Sequence, residues 1–143
     1  MRHILLSRRP LSRHMSTPTS AAAAISIALT LASVGHASAA EALVGAALQQ
    51  TVAGKTIHLS TPFGALPISY RSDGSISGVA GKLAQYTGSP TDSGTWWISG
   101  DKLCQKWNTW LNAKSYCFSL RQDGRNVEWT RNDGVSGSAT ITR

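Results

Sequence analysis

Three Asp-Gly pairs, Asp73-Gly74, Asp123-Gly124 and Asp133-Gly134, punctuate this 143-residue chain. Asp-Gly is a strong hairpin signal, because the tight turn needs a positive φ that glycine adopts freely. Gly100-Asp101 reads as a fourth turn. Between and around them lie short runs of β-forming residues at 55–60, 66–71, 75–80, 94–100, 102–107, 115–122, 126–131 and 136–142. Consecutive strands joined by tight turns form an antiparallel meander. Alternation puts Leu66, Ile68 and Tyr70 on one face of their strand, Tyr116, Phe118 and Leu120 on one face of theirs, and Val127 with Trp129 on another. One apolar face per strand fits a sheet curled around a single core. The expected fold is therefore all-β, a small antiparallel meander of about eight strands closing into a barrel, since closure removes exposed edges. A two-sheet sandwich is the alternative. The 12 glycines of residues 40–143 suit the turns and bends of a small barrel. Residues 41–52 (EALVGAALQQTV) place Leu43, Ala46, Ala47 and Leu48 at helical spacing, a short N-terminal helix able to cap or plug the strands after it. Residues 88–94 (GSPTDSG) read as an exposed loop, and residues 107–114 as the other long connection.

The first 40 residues read as an export address. They are free of acid and contain Arg2, Arg8, Arg9 and Arg13. A 14-residue apolar run at 21–34 comes next, then Ala37-Ser38-Ala39, which fits a small-x-small cleavage site. The run is shorter than the ~20 residues a membrane-spanning helix needs. Residues 1–39 are thus the expected signal peptide and 40–143 the expected single β-barrel domain, with no stable membrane span after cleavage. Ser7-Arg8-Arg9-Pro10-Leu11 resembles a twin-arginine export signal, so the folded-state route is open to it. The expected location is periplasmic or secreted.

Removal of the leader changes the meaning of the charge. The full chain has a formal charge of +7 from 14 basic and seven acidic residues. The remaining 104 residues carry ten basic against seven acidic groups, a charge of +3. These ten are dispersed, with acids between them, so a nucleic-acid partner is not expected.

Cys104 and Cys117 are the only two cysteines. An even count in an exported chain argues for a disulfide, and a short loop so closed is worth about 3 kcal/mol. Trp96, Trp97, Trp107, Trp110 and Trp129 crowd into the same part of the chain. Most serve as core. Trp96 and Trp97 are adjacent on a strand, so one of them points outward. Trp110, in the loop clamped by the disulfide, is the second candidate for exposure. Trp97, Trp110, Lys106 and Lys114 are the candidate binding surface, because exposed tryptophans in secreted domains mark partner sites.

Catalytic motifs are scarce. His58 is the one histidine beyond the leader, and it alternates with Ile57 and Leu59 toward solvent. Asp73, Asp123 and Asp133 have turn-forming roles. Glu128 points away from the face of Val127 and Trp129. No phosphate loop, dinucleotide fingerprint or metal-ligand motif is visible, so neither cofactor nor metal is expected.

The segment G-T-W-W-I-S-G-D-K-L-C-Q-K-W-N-T-W from Gly94 to Trp110, with Y-C-F at Tyr116 to Phe118 and V-E-W at Val127 to Trp129, resembles a group of short exported bacterial proteins of unknown function. The group is found especially among alphaproteobacteria and shares G-x-W, L-C-x-x-W and C-F segments. The stretch Y-R-S-D-G-S-I-S-G from Tyr70 to Gly78 is similar to it too. The resemblance implies no catalytic residues. A fainter similarity links G-K-L-A-Q-Y (Gly81 to Tyr86) and W-I-S-G (Trp97 to Gly100) to periplasmic inhibitor barrels of the lysozyme-inhibitor group. The expected function is an exported, disulfide-stapled, non-enzymatic binding or interaction module of the cell envelope. It is expected to be a monomer, with an envelope protein or glycan as partner. The alternatives are a periplasmic inhibitor of lysozymes or proteases, and a small carboxylate-dependent glycan-acting hydrolase. Intact-mass analysis of the exported form is expected to find a chain beginning at Ala40, two protons lighter than the free-thiol mass. Free thiols in that form would refute the bridge.

Overall fold

Side-chain alternation is carried through in three dimensions by nine strands. The computed structural model describes residues 39–142. The expected signal peptide lies outside the described residues, apart from Ala39. The strands are β1 (Glu41–Leu43), β2 (Lys55–Thr61), β3 (Gly64–Tyr70), β4 (Ser75–Val79), β5 (Thr91–Ser99), β6 (Lys102–Trp107), β7 (Ser115–Asp123), β8 (Asn126–Arg131) and β9 (Ser136–Thr142). A helix α1 (Gly45–Val52) joins β1 to β2, and a four-residue helix α2 (Ala84–Thr87) lies between β4 and β5. All pairings are antiparallel. The order β7-β6-β5-β4-β3-β2-β9-β8 is closed by a β7–β8 ladder. The result is an eight-stranded barrel with β1 as an extra strand, which decides the barrel over the sandwich.

The inward faces are those expected. Ile57, Leu66, Ile68, Tyr70, Leu103, Leu120 and Val127 are buried, as are Ala139 and Ile141 of β9. His58 alternates with them and bonds Thr142 Oγ1 through Nε2 at 3.0 Å, and Glu128 is exposed.

Two local expectations are corrected. Residues 41–43 are a strand rather than the first turn of the helix. The β6–β7 ladder runs only from Lys106↔Ser115 to Leu103↔Phe118. Beyond it, Leu120, Arg121 and Gln122 would present unpaired backbone groups, and β1 pairs with these three residues. The chain then turns through Gly45, whose φ is +50°, into α1. The second correction concerns the loop expected at 88–94. Thr91, Asp92 and Ser93 extend β5 and pair with Val79, Gly78 and Ser77. Their polar composition suggests a loop, but the available edge of β4 recruits them.

Helix α1 lies across one end of the barrel. It packs against β2 on one side and against β5 and β6, three to four strands away around the wall, on the other. Its Leu48 and Val52 are fully buried. Gly54 N–H then donates to Tyr70 O at 2.7 Å, tying the exit of the helix to the last residue of β3.

Close strand packing at the other end depends on missing side chains. A Cβ at Gly94 would collide with the Lys106 carbonyl and lie 2.9 Å from Trp107 Cα. Because the obstacle is backbone, it cannot swing aside. Gly94→Ala is therefore expected to cost about 1–3 kcal/mol through overpacking. The readout is a lower urea midpoint at unchanged slope. An unchanged midpoint would show that β5 and β6 separate without cost.

Candidate functional site

Inward-facing side chains line the barrel without filling it. A cavity of about 400 Å³ lies within, bounded by Ile57, Leu59, Leu66 and Ile68 of β2 and β3. Leu103 and Trp107 of β6, Phe118 and Leu120 of β7, and Val127 and Trp129 of β8 complete most of its wall. Its size falls toward the lower end of the ~300–1,000 Å³ typical of small-molecule pockets. The residues at its mouth belong to the end opposite α1: Tyr86 and Thr87 of α2, and Thr109 to Asn112 of the β6–β7 connection.

Two polar groups sit in the wall. Tyr70 Oη donates to Gln105 Oε1 at 2.7 Å, and both residues are buried. Burial pushes the Tyr70 phenol well above its ordinary range, so it remains a protonated donor. Trp96 lies edge-on to the Tyr70 ring, with centroids 5.8 Å apart, and its Nε1 donates to Arg71 O. Nearer the mouth, Arg131 is held by a bidentate pair with Asp133 at 2.8 and 2.7 Å and lies over the Tyr116 ring at 4.4 Å. Among the described residues the lining contains no carboxylate, histidine or thiol. The cavity thus offers mainly apolar contact, with the Gln105 amide in its wall, the Asn112 amide and the hydroxyls of Tyr86, Thr87 and Thr109 at its mouth, and a guanidinium paired with Asp133.

The mouth is shaped by a short 3₁₀ turn, Trp110–Ala113. Leu111, Asn112 and Ala113 adopt left-handed φ of 56°, 57° and 54°. This conformation costs a non-glycine residue roughly 1–2 kcal/mol. Two anchors hold it. Asp92 Oδ2 accepts from the N–H groups of Thr109 and Trp110 at 2.8 and 2.7 Å. The Trp110 ring packs against Trp107, with centroids 4.7 Å apart, and sits where a Cβ on Gly78 would be only 2.5 Å away. Exposed apolar side chains border the opening. Tyr86 is 65% exposed and stacks on Phe63 at 5.1 Å, and Leu111 is also exposed.

The residues singled out from sequence divide between two surfaces. Cys104 and Cys117 form the expected disulfide, with Cα atoms 4.0 Å apart. Trp96 is the buried member of its pair and Trp97 the outward one, at 39% exposure. Trp97 lies opposite Cys104 in the β5–β6 register, and Lys106 comes two residues along on the same outer face. Lys114 is exposed at the end of the 3₁₀ turn. Trp110 does not join them. It is 3% exposed and belongs to the inner wall, because its Nε1 reaches Ser89 O and its ring fills the space over Gly78. The expected four-residue patch is thereby reduced to Trp97 and Lys106 on the outer wall, with Lys114 exposed at the end of the turn.

The cavity itself was not among the sequence expectations, which assigned its aromatic rings to solid core. One signal for it was present. Gln105 alternates with Leu103 and Trp107, a lone amide in an inward register. Comparisons with family models, curated proteins and solved structures returned no match.

The anchor at Asp92 makes the mouth sensitive to acid. Partial burial raises its pKa, but N–H donors from Trp110, Thr109 and Ser93 outweigh that effect and hold the carboxyl below its ordinary range. Its stabilisation is therefore complete above the unfolded value of about 3.9 and is lost as pH falls through the lower folded value. Hydrogen exchange is expected to show the Thr109 and Trp110 amides protected at neutral pH and released in strong acid. Asp92→Ala should release them at every pH. Equal protection in the variant would remove Asp92 from this role.

Proposed function

We propose that this protein is an exported, non-enzymatic binding module that holds a small apolar molecule inside its barrel. The observation that carries the reading is the apolar cavity of about 400 Å³, open at one end and covered at the other by α1. Burying apolar ligand surface in such a space is favourable by roughly 25 cal/mol per Å². The exposed apolar side chains at the mouth, Tyr86 and Leu111, support it, since they offer an entering molecule apolar contact.

The export reading rests on the leader pattern of residues 1–39 and is supported by the disulfide, a feature of oxidising compartments. Among the described residues no helix is long and apolar enough to cross a membrane. We place the chain with the short exported bacterial proteins that its G-T-W-W and L-C-Q-K-W segments resemble. Trp97 and Lys106 on the outer wall are the proposed surface for an envelope partner.

The test uses N-phenyl-1-naphthylamine, a neutral apolar fluorophore. Binding inside the barrel is expected to shift its emission to the blue with one probe per chain. Leu59→Trp fills part of the lumen and should weaken binding about tenfold, equivalent to ~1.4 kcal/mol. Thermal unfolding of that variant is expected to stay close to the parent's. No emission change in the parent, or equal binding by the variant, would mean the lumen is not the site.

A further inference from the structure

The cavity carries one chemical preference beyond its apolarity. Gln105 is 5% exposed, and its Oε1 is occupied by the Tyr70 hydroxyl. This bond orients the amide and leaves its nitrogen as the free end. Among the described residues no protein group accepts a hydrogen bond from Gln105 Nε2, yet no buried side-chain nitrogen or oxygen is sealed away without a partner. Gln105 Nε2 therefore reaches the open space of the cavity, whose wall Gln105 helps to form. A buried amide donor facing an apolar space is costly until something accepts from it.

We infer that the ligand is a neutral, mainly aliphatic or aromatic molecule bearing one carbonyl-type acceptor, which accepts from Gln105 Nε2 inside the barrel. The inference rests on the apolar-ligand reading above and narrows it. Charge decides the rest of the class. The single ionic group in the described lining is Arg131, which is engaged by Asp133 and the Tyr116 ring. An ionised carboxylate beside Gln105 would be buried with no counter-charge, so the acceptor must be uncharged. A ketone, ester or amide oxygen satisfies the N–H donor without that penalty. The ring faces and aliphatic side chains around it accommodate the remainder of the molecule.

The experiment displaces N-phenyl-1-naphthylamine with 2-nonanone, nonane or nonanoate at pH 8. Gln105→Leu alone would free the Tyr70 hydroxyl to act as a substitute donor, so the key variant is Gln105→Leu/Tyr70→Phe. It replaces both hydrogen-bonding partners by apolar groups of similar shape, a change that proteins tolerate. The ratio of 2-nonanone to nonane affinity is expected to fall about tenfold in the double variant, as one hydrogen bond is lost. In Tyr70→Phe the ratio should be kept, since Gln105 still donates. Nonanoate should bind the parent more weakly than 2-nonanone. A ratio unchanged in the double variant would overturn the role of Gln105 while leaving the lumen as a binding site. Loss of the ratio in Tyr70→Phe alone would assign the donor to Tyr70 and overturn the inference equally. Nonanoate binding as tightly as the ketone would overturn the neutral class. Failure of the fluorophore to bind the parent would instead remove the apolar-ligand reading and this inference with it.

Discussion

The ladder between β2 and β9, from Thr56↔Thr142 to Leu59↔Ala139, joins the first and last strands of the meander and closes the barrel. Without it the meander would be an open sheet with two exposed edges, each with unpaired backbone groups. With it, every strand from β2 to β9 has a neighbour on both sides, and every second side chain points into an enclosed space. The lumen, its mouth and the inward-facing Gln105 amide exist because of that closure. The short β1 completes it by covering the stretch of β7 that β6 does not reach.

A closed barrel of eight strands has an interior that side chains can fill or leave open. Here the two ends differ. At one, α1 inserts Leu48 and Val52 and the core is tight. At the other, large rings and missing side chains are matched: Trp110 over Gly78, and Trp129 over Gly137. These contacts press the rings against the wall instead of into the centre. Leu59, Phe118 and Trp129 are only partly buried where they meet the open space. The strained turn after Trp110 is sustained by Asp92, whose two oxygens together accept three backbone N–H groups. A carboxylate in a polar stretch that looks like an ordinary loop thus fixes the shape of the entrance.

The outer wall obeys a separate logic. Cys104 lies between Trp97 and Cys117 in register, so the disulfide and the exposed indole are cross-strand neighbours. Neighbours of this kind stand about 4.5–5.5 Å apart at Cβ. The bridge therefore staples β6 to β7 on the side away from the lumen and leaves the interior free of sulfur. Trp97 and Trp110, which sequence reasoning joined in one patch, are separated by the thickness of the wall.

The order of strands, their turns, the faces of Leu66, Ile68, Tyr70, Tyr116, Phe118 and Leu120, and the pairing of the two cysteines were all legible in the chain. Each comes from local chemistry: period-two alternation, Asp-Gly turns, or the elimination of other thiols. The opposite directions of Trp96 and Trp97 were legible too, because adjacent strand residues must diverge. What each of them faced was not. Whether Trp110 is buried depends on Gly78, 32 positions earlier, and whether Thr91–Ser93 is loop or strand depends on the free edge of β4. The cavity is the clearest case. Its volume is the difference between the space enclosed by eight paired strands and the side chains directed into it. No single segment contains that difference, so only the closed tertiary structure could decide that the barrel has room for a guest.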